Sequence, residues 1–188
     1  MTQLSDVDIV KALSDKRIAI EPLDLYNLQP ASIDLTLGDS WLVPLAKAVN
    51  QEVVSLVDRD APYRAVTSKK RYLQPGEFIL GTTAEKITLD TTVAAKFEGK
   101  SSLGRMGAMT HVTAGFIDPG FSGQITLEIV NVSPWILEFN SGMQIGQLVF
   151  TNLCTPASAG YGSAVWGSHY QNQSGATSAK TWGVWHAV

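Results

Sequence analysis

Glycine and proline punctuate this chain at intervals too short for long helices over most of its length. A helix interior loses roughly 1 kcal/mol at each glycine and about 3 kcal/mol at each proline relative to alanine, and the 16 glycines and 8 prolines run from one end to the other. Between them lie short stretches dense in β-type side chains: Ser32–Leu37, with Ile33, Leu35 and Leu37 on one face, then Phe78–Thr82, Glu85–Leu89, Gly123–Val132, Ile136–Phe139 and Gln144–Leu153. Many short strands separated by turns predict an all-β barrel or jelly roll. One segment near the start reads as a helix. Ser5 caps it, Asp8 completes a capping box, and Ile9, Val10 and Leu13 line one face. Residues 39–72 carry little periodicity and are expected to form a long hairpin or an insertion.

Composition narrows the partners. With 45% apolar and 16% charged residues the chain can build a real core. Its 14 basic and 17 acidic side chains leave a net charge of −3, which lacks the cationic surplus of a general nucleic-acid binder. No apolar run approaches the ~18 residues of a membrane span, and MTQLSDVDIV has no basic-then-apolar leader layout. The expectation is a soluble, cytoplasmic protein with neither nucleic-acid nor membrane partners. The single cysteine, Cys154, excludes an internal disulfide and a multi-cysteine zinc site. A barrel domain over 1–159 is expected, followed by a tail over 160–188. That tail holds Trp166, Trp182 and Trp185, three of the five tryptophans, and aromatic side chains of this size call for a docking surface.

Two stretches carry candidate chemistry. In GKSSLGRMG, Gly99–Gly107, a helical turn beginning at Ser101 would point the amides of Ser101 and Ser102 outward as an anion site. Arg105 would share the face of Ser101, and Lys100 adds a second cation; an ordinary capped surface turn is the competing reading. The spacing of the Gly-rich triphosphate loop is absent before Gly99-Lys100-Ser101. In HVTAGFIDPGFSGQITLEIVN, His111–Asn131, a turn at Asp118-Pro119-Gly120 precedes a strand with Ile125, Leu127 and Ile129 on one face and Gln124, Thr126 and Glu128 on the other. Glu128 is thus a mid-strand carboxylate, either on an exposed sheet face, paired with a cation, or set in a pocket as a general base. Asp118 and Glu128 around the small Thr113-Ala114-Gly115 patch would make an acid–base pair. His111, His169 and His186 lack metal-ligand spacing.

These blocks, with MQIGQLVF, QPASIDLTLG, LQPGEFILG and the tail's GYGS and GSHYQNQSG, resemble the dCTP deaminases of the trimeric dUTPase-like superfamily. The resemblance implies a distorted β-barrel or jelly roll with a short N-terminal helix and a flexible C-terminal lid, assembled as a homotrimer with active sites between subunits. It also implies dependence on Mg²⁺ held through the nucleotide phosphates, and feedback inhibition by dTTP. Zinc deaminases need a Cys-rich framework that this chain lacks. By the same resemblance Glu128 is the catalytic glutamate, Ser101, Arg105 and the Ala114 carbonyl position the attacking water, and Asp118 meets the deoxyribose and activates water for triphosphate cleavage. Lys100, Ser101, Ser102, Leu103, Gly104 and Arg105 match the phosphate block. Thr126, Leu127 and Glu128 match the base-reading strand, and Gln147, Tyr161 and Gln173 match further nucleotide contacts. His169 stands where family tails usually carry lysine, which weakens a phosphate contact or makes it pH-dependent; Ser174 stands where some relatives have arginine. Gly115 and Phe116 match the switch region of the branch that converts dCTP to dUMP and diphosphate, with glycine expected to permit close backbone approach to the nucleotide. The expected function is therefore bifunctional deamination of dCTP to dUMP. The alternatives are a deaminase releasing dUTP and ammonia, or a dUTPase.

Overall fold

The computed structural model describes residues 2–45, 62–166 and 168–180. Helix α1, Asp6–Ser14, begins at the predicted box: Asp8 N donates to Ser5 Oγ and Ser5 N donates to Asp8 Oδ2, both at 3.3 Å. Its buried face is Ile9 and Ala12, with Leu13 packed alongside, whereas Val10 is 44% exposed and does not join it as expected.

The described strands are β1 Thr2–Gln3, β2 Ile18–Glu21, β3 Leu28–Gln29, β4 Ser32–Thr36, β5 Ser40–Pro44, β6 Tyr63–Thr67 and β7 Lys70–Leu73. They continue as β8 Phe78–Leu89, β9 Val93–Gly99, β10 Ala108–Met109, β11 Phe116–Ile117, β12 Ser122–Asn131, β13 Leu137–Asn140 and β14 Gln144–Asn152. One sheet runs β11-β9-β14-β4-β3 with β1 also on β14; the other runs β10-β12-β8-β5-β6 with β2 on β8; β13 and β7 form a separate pair. All of these ladders are antiparallel. The core between the two sheets contains Trp41, Phe97, Leu127, Phe139 and Phe150, each almost fully buried. This is the mainly β, antiparallel barrel-like architecture with one short N-terminal helix that the sequence predicts.

Phe78–Thr82 and Glu85–Leu89, expected as two strands, are one strand of 12 residues. It stays continuous because its irregularity is internally satisfied. Register passes from Gln124↔Lys86 to Thr126↔Thr82, so Ile125 stands opposite a bulge at Thr83–Glu85. Ile125 N donates to Thr83 Oγ1, and Thr82 Oγ1 donates to the Ile125 carbonyl. Two threonine hydroxyls thus replace ladder bonds that the bulge removes. In the low-periodicity region, β5 and β6 do form a hairpin, pairing Pro44↔Tyr63 through Ser40↔Thr67.

The tail lies along β12. Gln124 N donates to Gln173 O, Gly123 bridges Gln173 in parallel, and Asn172 N donates to Ser122 O. The Gln124 side chain then joins tail to bulge: its amide donates to Thr83 O and Ala84 O, and its Oε1 accepts from Gly175 N at 2.7 Å. Where the tail leaves the barrel, Gly120 (φ +85°) faces Gly160, and a Cβ on Gly120 would sit 2.5 Å from Gly160 Cα. Trp166 is 58% exposed, held by Nε1 donating to Ala159 O. Trp182, Trp185 and His186 lie outside the described residues.

Candidate active site

Strand β12 alternates as predicted. Ile125, Leu127 and Ile129 are buried, while Gln124, Thr126 and Glu128 are half-buried on the opposite face. That face floors an open cavity of about 410 Å³, roofed by the tail and walled by the segment leading into β11. Glu128 is fixed within it: Val112 N and Thr113 N both donate to Oε2, at 3.0 and 3.1 Å. Among the described residues Oε1 accepts no hydrogen bond, so one oxygen is anchored by the backbone and the other is available to a proton. A carboxylate held this way is arranged for general-base work on a group inside the cavity.

Ala114, Phe116, Asp118, Thr126, Tyr161 and Gln173 share this cavity with Glu128. Asp118 opens the turn Asp118–Phe121, with proline and a positive-φ glycine in the central positions of a type II turn. The carboxyl sits at the cavity rim with solvent contact, yet loss of hydration raises its pKa above the ordinary 3.8. Thr126 Oγ1 accepts from Thr177 N of the tail. Gln173 donates its amide to Gln124 O and keeps Oε1 buried with no partner among the described residues. Tyr161 packs on Phe121, ring centroids 5.8 Å apart, and its Oη accepts from Tyr170 N. Asp118, Tyr161 and Tyr170 also face a second cavity of about 520 Å³, which His169 and Trp166 line.

The remaining predicted residues lie elsewhere in the chain. Ser101–Arg105 is helix α2, started by Leu103 N and Gly104 N donating to Lys100 O, with Ser101, Ser102 and Arg105 exposed. No residue of Gly99–Gly107, and so neither Leu103 nor Gly104, lines the Glu128 cavity. Lys100 is paired within the chain, its Nζ 2.5 Å from Oδ2 of Asp34, whose side chain is 1% exposed. It is therefore a cation anchored by a buried carboxylate. Gln147 stands opposite Asp34 on β14 and accepts from Ser32 Oγ at 2.8 Å. Leu127 points its side chain into the core at 0% exposure, leaving only its backbone to the strand. The close approach that Gly115 permits is between strands: Phe97 N donates to Gly115 O at 2.7 Å, and a Cβ there would lie 2.9 Å from Phe97 O. The neighbour that reaches the cavity is Phe116, 60% exposed.

Sequence reasoning missed Tyr63, Phe78, Leu80, Tyr170 and Thr177, all of which line the cavity. Phe78 and Leu80 were legible in principle, since they share a face of β8 at period two.

Comparison with known proteins places the fold in a family. The family described as dCTP deaminase-like matches residues 3–153, so the chain belongs to that family. It is 48% identical over 183 residues, covering 94% of this chain and 91% of the relative, to the dCTP deaminase, dUMP-forming, of Tropheryma whipplei (strain Twist). It is 43% identical over 189 residues to the dCTP deaminase, dUMP-forming, of Salinispora tropica, covering 97% of this chain and 96% of that one. Among solved structures, the 2'-deoxycytidine 5'-triphosphate deaminase from Agrobacterium tumefaciens superposes with a TM-score of 0.61 at 25% identity. That match covers 79% of this chain and 47% of the other, so this chain spans about half the length of that structure.

Proposed function

We propose that this chain is a hydrolase that deaminates dCTP at C4 and cleaves the triphosphate of the resulting uracil nucleotide, releasing ammonia, dUMP and diphosphate. The observation that carries the reading is Glu128: a carboxylate on the cavity floor with Oε2 held by two backbone amides and Oε1 open. The relatives named dCTP deaminase, dUMP-forming, support the same substrate and product. In this scheme Oε1 takes a proton from the water that adds to C4, and the same proton is handed to the departing amine. The Ala114 carbonyl helps orient that water, and Asp118 contacts the deoxyribose before activating water for the phosphate step.

Among the described residues no three His, Cys, Asp or Glu side chains cluster as a metal cage. We infer a Mg²⁺ carried by the nucleotide phosphates, where the ion would screen charge on the leaving diphosphate. Lys100, Ser101, Ser102 and Arg105 are exposed or anchored away from the cavity, which supports a homotrimer in which a neighbouring copy brings this block to the phosphates. His169 lines the adjoining chamber and is assigned by the family resemblance to the phosphate chain, and dTTP is the expected feedback ligand of the same pocket.

The direct test is purified protein incubated with dCTP and Mg²⁺, with dUTP in parallel and products separated by anion exchange. Conversion of dCTP to dUMP without accumulation of dUTP is expected. Accumulated dUTP would make the chain a deaminase only, and turnover of dUTP alone would make it a dUTPase. Shared sites predict complementation: R105A and E128Q, each unable to deaminate dCTP alone, should regain measurable deamination when co-assembled, because one interface then keeps both wild-type residues. Two variants that stay inactive together would argue for a site within one chain. The phosphate step has its own pH signature. Asp118 must be ionised to act as a base, so the rate of dUTP cleavage should fall as pH drops through its raised pKa. The acid limb would lie above the ordinary 3.8 and disappear in D118N.

A further inference from the structure

The hairpin β5–β6 is the part of the barrel that the sequence left least defined, yet it delivers a side chain to the Glu128 cavity. Cross-strand register shows how. Glu128 on β12 stands opposite Leu80 on β8, Leu80 opposite Leu42 on β5, and Leu42 opposite Ala65 on β6. Directly opposed residues share a sheet face, and residues two apart on one strand do as well. Tyr63 is therefore on the face that carries Glu128, together with Phe78 and Leu80, and the four line one cavity.

The phenol is half-buried, and among the described residues its hydroxyl makes no hydrogen bond. Loss of hydration first, and the negative charge of Glu128 second, raise its pKa above 10.0. It stays protonated across the working range, an O–H donor beside a carboxylate whose Oε2 is already saturated by backbone. The hydroxyl opens to the cavity, where a ligand acceptor can replace solvent as its hydrogen-bond partner.

We propose that Tyr63 is a substrate-contacting, specificity-determining residue that donates its phenolic hydrogen to an acceptor of the pyrimidine ring, O2 or N3, held over Glu128. The inference rests on the dCTP reading and names a contact within that site. The ring edge, not the phosphate chain, is the partner, because Tyr63 shares a sheet face and a cavity with Glu128, the residue assigned to C4, and no residue of the Gly99–Gly107 block lines that cavity.

The test compares wild type, Y63F and Y63A with dCTP. Y63F removes one atom and leaves the ring to fill the hairpin. A hydrogen bond made equally in ground and transition states appears in KM, so Y63F should raise KM by about tenfold with kcat nearly unchanged. Inhibition by inorganic triphosphate, which carries no base, should be unchanged in Y63F. Y63A should raise KM further. A KM for Y63F within about twofold of wild type would overturn the contact, as would a parallel loss of triphosphate inhibition, which would mark a general disturbance of the site. Calorimetric titration of dCTP into E128Q and E128Q/Y63F measures the same difference without turnover. If wild type fails to convert dCTP, the functional reading falls on its own, and these titrations still decide whether Tyr63 meets the base.

Discussion

E128Q is expected to lose deamination by about a thousandfold, the scale of a positioned general base, while binding dCTP with nearly wild-type affinity. The amide is isosteric with the carboxylate, and its oxygen can take the place of Oε2 in front of Val112 N and Thr113 N. The segment leading to β11 should therefore keep its course, so the loss falls on kcat. Single-turnover assays with anion-exchange separation measure the chemical step, and calorimetry measures the binding. Cleavage of dUTP should persist in this variant, because that step is assigned to Asp118. An E128Q enzyme that deaminates dCTP within tenfold of wild type would remove Glu128 from the role of base.

The largest effect on stability is expected at Gly146. A Cβ there would lie 2.0, 2.5 and 2.8 Å from three ring atoms of Phe97, closer than any real contact. The ring cannot step aside: Phe97 is 1% exposed, its backbone is laddered to Leu148, and its edge meets His111 at a centroid distance of 5.8 Å. Overpacking of this kind costs about 3 kcal/mol, which for a domain this size lowers Tm by roughly 6–12 °C. Thermal unfolding followed by circular dichroism gives the value. F97L should recover part of the loss in the G146A background, because the two sites share one volume. A G146A protein melting within about 2 °C of wild type would mean that the core between β9 and β14 is looser than its geometry implies.

What was legible in the sequence was local. The Ser5–Asp8 cap depends on residues three apart, and the two faces of β12 depend on period two; both can be read directly. Glu128 could be located because it is the acidic residue on the polar face of an alternating strand, between large apolar neighbours. The bulge at Thr83–Glu85 was not legible, since its compensation comes from Ile125 across the ladder. The partner of Lys100 was not legible, because Asp34, 66 positions earlier in the chain, comes beside it only when β14 pairs with both β4 and β9. Tyr63 was hidden for a related reason. Its hairpin has no strong alternation of its own, and its face is set by register relayed through β5 and β8. Leu127 shows the converse: a residue inside a motif need not point where the motif acts.

The crossing of Gly120 and Gly160 sets the terms on which the tail can vary. Two backbones meet there with no side chain between them, and Gly162 and Gly175 also adopt φ values that favour glycine. The path of the tail is thus prescribed by main-chain contact and by the side chains of Gln124 and Gln171, with Ser174 Oγ also reaching Gln124 Oε1 at 3.5 Å. The tail behaves as a fixed mount, held at the glycines by the conformation and close approach of its own backbone.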